Sequence, residues 1–299
     1  MNRVTSFSAS TLMLSNLFDS QRALIATQRQ IASGKKVQKA SDGPAEAVAS
    51  LDTRSTLRRS AQLDRNANRA KEWLQAADQS TQSVVDGINQ ARGLLVQANS
   101  GALDAPSRQA IANQLLSLRD SLLGTSNTSV LGRPIFSGTA AGASAYDSTG
   151  AYLGDAGGVA LPVSPGVTVR VSRTGPEVFG ASNPGDPANG DLFQMLTSLA
   201  ASVSSNSTPA MANGMNSLDA ASTRVQGVQV ELGSRLNQIE DLRNAATGLD
   251  NELTSFVSQM EDIDYAEAAI ALKSQEAAYQ AALQVTAKII QPSLLDFLR

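Results

Sequence analysis

Residues 218–263 read LDAASTRVQGVQVELGSRLNQIEDLRNAATGLDNELTSFVSQMEDI, and their apolar positions return at alternating steps of three and four. The seam runs Leu218, Ala221, Val225, Val228, Leu232, Arg235, Ile239, Leu242, Ala246, Leu249, Leu253, Phe256, Met260, Ile263. Side chains at that period line one narrow side of a helix, the strip that a coiled-coil partner covers. At about 1.5 Å per residue the tract predicts a rod of roughly 65–70 Å. A second tract keeps the same rhythm through Ala67, Ala70, Leu74, Ala77, Thr81, Val84, Ile88, Ala91, Leu95 and Ala98. The fold class is therefore mainly α, a long helical bundle or coiled coil. Rods of this kind hold things together and rarely enclose a reaction.

Between the two tracts the character changes. Residues 134–195 hold half of the 22 glycines and six of the ten prolines. Val167, Val169 and Val171 alternate with Thr168, Arg170 and Ser172, the pattern of a half-buried strand. Val159–Val163 can pair with it through Ser164-Pro165-Gly166, so a small β-rich insertion is expected here. The chain before the first tract predicts a helix over 5–32, with Phe7, Leu14, Leu17, Phe18, Leu24, Ile25 and Ile31 on one face. Gly34 reads as its left-handed stop. Ser41-Asp42-Gly43-Pro44 reads as the capped start of the next helix, which ends near Gly101. Asp104-Ala105-Pro106 starts another, whose signal stops at Gly124. Helix resumes by Leu192, turns across 202–208, and then enters the long tract. Gly227, Gly233 and Gly248 interrupt that tract, as close helix approaches or as kinks. The last segment carries Leu283 and Ile290, and then Leu294, Leu295, Phe297 and Leu298 crowd the final six residues. A terminus that apolar calls for a cover.

Composition narrows the function. Neither cysteine nor histidine occurs, which removes disulfides, thiolate metal sites and imidazole bases. The formal charge is −3, too near balance to argue for a polyanionic partner such as nucleic acid. The basic excess on Arg54, Arg58, Arg59, Arg65, Arg69 and Lys71 reads as a solvated helix face. Residues 1–18 lack the apolar core and cleavage pattern of a signal peptide, and no run of about 18 apolar residues predicts a membrane span. Ser33-Gly34-Lys35 does not make a phosphate loop, since Arg29 stands where the earlier glycine belongs and Lys36 where Ser or Thr should follow. The acids Glu261, Asp262, Asp264 and Glu267 lack a glycine-turned loop to converge on a cation and read as helix surface. No Gly-x-Ser-x-Gly elbow exists, and Trp73 beside the first seam reads as packing. No catalytic residue, cofactor site or metal site is expected, and the chain is read as a non-enzyme.

Taken together, Ser15-Asn16-Leu17, Ser20 to Leu24, Gln28 to Val37 and Ser41-Asp42-Gly43-Pro44 resemble the N-terminal region of the flagellin superfamily. Asp262 to Ala268, Leu272, Gln275, Ala281, Leu283 and Ser293 to Leu298 are similar to its C-terminal region. Ile31-Ala32-Ser33-Gly34, the proline after Asp42-Gly43, and Gly132 to Thr139 favour the hook–filament junction branch over filament subunits. Tyr152-Leu153-Gly154-Asp155 and Gly175 to Phe179 also fit that branch's middle domain. Gly43 stands where the family usually has a second aspartate, and Pro134 where an aromatic is common.

The resemblance implies a structural part of the bacterial flagellum, secreted unfolded through the flagellar export apparatus and held beforehand by an export chaperone. Its partners would be further copies of itself in a ring, hook-associated protein 1 and flagellin. It also implies paired N- and C-terminal helices and an outward-facing insertion. The expected division is an N-terminal assembly helix (1–40), bundle (41–133), insertion (134–195), bundle (196–264) and a C-terminal assembly helix (265–299). The expected assembly interface is the Phe7–Ile31 face named above with Leu283, Ile290, Leu294, Leu295, Phe297 and Leu298. A filament subunit is the nearest alternative. A cytoplasmic coiled-coil signalling hairpin is a remote one, because it would turn tightly at mid-chain.

Overall fold

The computed structural model describes residues 3–100, 103–181 and 190–290, with side chains described from Thr11 to Ala287 within those spans. Seven helices and four short strands are present among them. In order these are α1 (Arg3–Ser33), α2 (Pro44–Ala98), α3 (Ala105–Ser126), β1 (Ser129–Val130), β2 (Arg133–Pro134), β3 (Ala160–Ser164), β4 (Val167–Arg170), α4 (Gly175–Phe179), α5 (Leu192–Ser204), α6 (Thr208–Glu261) and α7 (Tyr265–Ile290). Contacts group the chain into two units, Ser60–Gly248 and the pair of segments Met1–Arg59 with Leu249–Arg299.

Within Ser60–Gly248 the first seam is the core. All ten of its residues, from Ala67 to Ala98, are buried, Thr81 included. On α6 the matching seam is buried from Leu218 through Leu232 and again at Ile239, with Leu242 packed against it. Surface pairs give the register: Arg243 Nε to Asp64 at 2.9 Å, Lys71 Nζ to Glu240 at 2.8 Å, Gln229 Nε2 to Gln82 at 3.1 Å, and Arg92 to Asp219. Positions rise along α2 as they fall along α6, so the two run antiparallel. Arg235 sits in the seam because its guanidinium leaves it, donating to the Arg170 carbonyl at 2.8 Å and pairing with Glu231. Trp73 is buried among the seam residues, as packing.

Helix ends follow local chemistry. The Asp104 carboxylate accepts from the Ser107 N–H at 2.9 Å, with Pro106 in the first turn of α3. Helix α3 runs two residues past Gly124 before stopping, and it packs along α5. The Asp191 carboxylate caps α5 through the Phe193 N–H. Gly34 has φ +68°, the left-handed stop expected after α1. The start of α2 differs from expectation. Asp42 does not cap it: its carboxylate accepts backward, from the Gln38 and Lys39 N–H groups at 3.1 and 2.9 Å. Asp42 thus ties the loop before the helix, and its pKa is held below the usual carboxylate range by those backbone bonds.

The expected hairpin forms. β3 pairs antiparallel with β4, Leu161 opposite Val169 and Pro162 opposite Thr168, closing through Gly166 at φ +74°. Val169 and Val171 point in and Thr168 out. Sheet supplies little of the insertion's cohesion. Its centre is an aromatic knot in which Phe136, Tyr146, Phe179 and Phe193 meet with ring centroids 5.1–5.5 Å apart. With aromatics scarce in the chain, their concentration here explains how so short a sheet stays folded. Pro134, where the resemblance expects an aromatic, is buried, as are its neighbours Ile135 and the knot's Phe136.

Candidate functional site

The terminal segments hold the features that bear on function. Helix α1 packs along α7, and each helix is entered or left through a turn tied to the other. After α1, Gly34 turns the chain so that the Lys36 N–H donates to the Glu261 carbonyl at 2.6 Å. The Ile263 N–H donates to the Gly34 carbonyl at 3.1 Å, which closes an antiparallel bridge between Lys35 and Asp262. A side chain at 34 would meet the Tyr265 hydroxyl at 2.9 Å, so this position needs glycine for space as well as for φ.

Around the bridge stands a charged cluster centred on Glu261, whose residue is 9% exposed. Arg54 Nε donates to its carboxylate at 2.9 Å and the guanidinium grips both oxygens, a fork-to-fork geometry. Lys35 Nζ lies 3.2 Å from Glu261 and 2.6 Å from Asp262. Ser50 donates to Glu261, and Ser258 to Asp262. The Arg54 hydrogen bonds dominate and hold the Glu261 carboxyl down to about 2, against the opposing effect of burial. Asp262 is lowered by its bond to Lys35, and Lys35 is raised by the same bond. Glu261, Asp262, Asp264 and Glu267 are expected on a helix surface; the first two instead staple the α1–α2 turn to the α6–α7 turn. Only the basic run Lys35-Lys36 and the acidic run Glu261-Asp262, at the two matching helix breaks, hinted at it. Asp264 does something else: its carboxylate accepts from the Ala266 and Glu267 N–H groups at 2.8 and 3.2 Å and starts α7.

The structure brings together only part of the residue set expected at the assembly interface. Leu17, Leu24, Ile25 and Ile31 are half-buried, whereas Leu14, Phe18 and Leu283 are exposed, Phe18 by 57%. The side chains of Phe7, Ile290, Leu294, Leu295, Phe297 and Leu298 lie outside the described residues. Further apolar side chains outside the expected interface set also stand in solvent: Leu12, Val48 and Leu51, and Ile270 on the amphipathic C-terminal segment, the last by 73%. Eleven of the fifteen large exposed apolar side chains among the described residues fall in Met1–Arg59 and Leu249–Arg299, the smaller unit. Such crowding marks a surface meant to be covered.

Two family models match the chain. The bacterial flagellin N-terminal helical region matches residues 4–141, and the bacterial flagellin C-terminal helical region matches residues 215–298. The chain belongs to the flagellin superfamily. Its matches fall on the helices α1, α2 and α3 and on α6 and α7, the elements that carry the Glu261 staple and the exposed apolar side chains. Among flagellin-superfamily relatives, flagellar hook-associated protein 3 of Salmonella typhimurium is 25% identical over 290 residues, covering 90% of each chain. The solved structure of Bacillus cereus FlgL superposes with a TM-score of 0.60 at 20% identity, covering 69% of this chain and 99% of that one. The flagellar junction protein FlgL from Legionella pneumophila gives 0.58 at 15% identity, covering 71% and 99%. At such identities the solved structures speak for the fold. The relatives are structural proteins of the bacterial flagellum, and no described helix is long and apolar enough to cross a membrane.

Proposed function

We propose that this chain is a structural adaptor at the hook–filament junction, joining hook-associated protein 1 to flagellin, and that burial of its terminal helices drives its assembly. It would leave the cell unfolded through the flagellar export apparatus, with an export chaperone holding the C-terminal segment beforehand. Residues 1–40 and 265–299 would be the assembly helices, 41–133 and 196–264 the bundle, and 134–195 the outward insertion. The observation that carries this reading is the crowding of exposed apolar side chains into the smaller unit, Phe18 and Ile270 foremost. Pairing α1 with α7 uses up Leu24, Ile25 and Ile31 only in part and leaves these uncovered. At roughly 1.5–3 kcal/mol per large side chain fully buried, less the entropy of ordering, a few of them decide between monomer and polymer. Likeness to hook-associated protein 3 over nearly its whole length supports the junction over the filament.

The test is removal of residues 290–299, which carry Ile290, Leu294, Leu295, Phe297 and Leu298. The truncated chain should be exported and keep its central helices, but no longer join the flagellum, with loss of filaments and motility. Unimpaired motility would overturn the reading. Immunogold labelling confined to the hook tip is the expected pattern for the full chain; labelling along the filament would make it a filament subunit.

A further inference from the structure

Two features of Ser60–Gly248 find no use inside the chain. The first is the tip of the β1–β2 hairpin, whose central residues Leu131 and Gly132 have φ +51° and +77°. Two positive dihedrals make the turn that Asn-Gly normally fills, and leucine adopts that conformation at a cost. Leu131 recovers none of the cost by packing, since it is 79% exposed. Next to it Arg133 is exposed, and among the described residues its guanidinium reaches only the Thr139 carbonyl, at 3.3 Å. The tip is an apolar knob with a cation at its side. Strain kept at an exposed apolar residue points to a use outside the subunit.

The second feature is an open, shallow face along α6 that carries Val230, Gly233, Ser234, Asn237 and Asp241. Val230 is 75% exposed there. Nothing lies within 4 Å of where a side chain on Gly233 would begin, so the chain's own packing does not call for glycine at that point. Asp241 is exposed and makes no hydrogen bond or ion pair among the described residues. This face offers an exposed apolar side chain, a notch at Gly233 and an anion.

We propose that the hairpin tip of one copy docks on this face of α6 in a second copy, Leu131 at the Gly233 notch beside Val230 and Arg133 paired with Asp241. Knob meets notch, apolar meets apolar, and the lone cation meets the lone anion. Neither half complements itself, so the contact is head-to-tail, and a head-to-tail contact propagates around a ring or along a helix instead of closing as a dimer. This inference rests on the assembly proposed above and names a contact within it, between copies and away from the terminal helices.

The chain has no cysteine, which permits a direct test in flagella. Leu131→Cys and Ser234→Cys both fall at exposed positions. The double variant, oxidised in isolated flagella, should give covalent oligomers that a reductant collapses to monomer, while each single variant stays monomeric. Co-expressed single variants should give a dimer and nothing larger. Arg133→Glu should reduce incorporation, and adding Asp241→Arg should restore it. Incorporated protein that yields no cross-link would overturn the contact while leaving the junction reading intact. Dimers from Leu131→Cys alone would also overturn it, in favour of a face-to-face contact. Absence of the chain from flagella would overturn the junction reading and this contact with it.

Discussion

Glu261 is held from three sides, by Lys35 beyond α1, by Ser50 and Arg54 on α2, and by the backbone bridge at Lys36. Because its folded pKa, about 2, lies below that of an exposed glutamate, its contribution is fully present above pH of about 4.5 and drains away as pH falls toward 2. Raised Lys35 keeps its share at neutral pH and loses it only on the alkaline side. Glu261→Gln should cost about 1–2 kcal/mol at pH 7, since both cationic partners are partly solvated. Urea unfolding measured from pH 7 to pH 3 should show the variant and wild type converging at the acid end; curves that stay parallel would remove Glu261 as the acid-sensitive group. Gly34→Ala adds a second residue-scale case. It would place a methyl at φ +68° and against Tyr265, at a cost of about 1–2 kcal/mol. Faster amide exchange at the start of α7 would report it.

Helix α6 behaves differently along its length. From Leu218 to Ile239 its apolar seam is buried in the core cluster, but Leu249 and Phe256 stand half in solvent, Phe256 by 49%. The same heptad rhythm therefore serves the core in one stretch and waits for a cover in the other. Leu232→Ala, in the sealed stretch, should cost about 2–4 kcal/mol and lower the melting temperature by several degrees. Phe256→Ala should stay within about 0.5 kcal/mol in the isolated subunit and still impair incorporation. Equal losses from both in thermal melts of the monomer would contradict the distinction. Periodicity identified both stretches because burial on one helix side leaves a repeat in the sequence. It could not separate them, since a seam looks the same whether its partner lies in the same chain or another.

For the molecule as a whole, folding and assembly share the apolar surface unequally. Ser60–Gly248 has its own seam and aromatic knot, whereas the smaller unit keeps most of the exposed large apolar side chains. Hydrogen exchange on the purified monomer should accordingly show strong protection in residues 67–98 and 218–239 and weak protection in α1 and α7. Assembly should then protect α1 and α7. Strong protection there in the monomer would sink the account of assembly by burial.

What the sequence determined by itself were features written in local order: the heptad rods, the Gly34 stop, the Asp104 start and the β3–β4 hairpin. Each depends on residues within a few positions of one another, so period and turn chemistry suffice. The motifs at both ends added the family, with paired terminal helices as an expectation. Only the tertiary structure decided that Glu261 is the anchor of Arg54, 207 positions away, that Asp42 ties a loop and does not start a helix, and that aromatics bind the insertion more than its sheet does. A charge or a ring carries no sign of its distant partner. Which half of a seam is closed depends on surface that another part of the chain must bring to it.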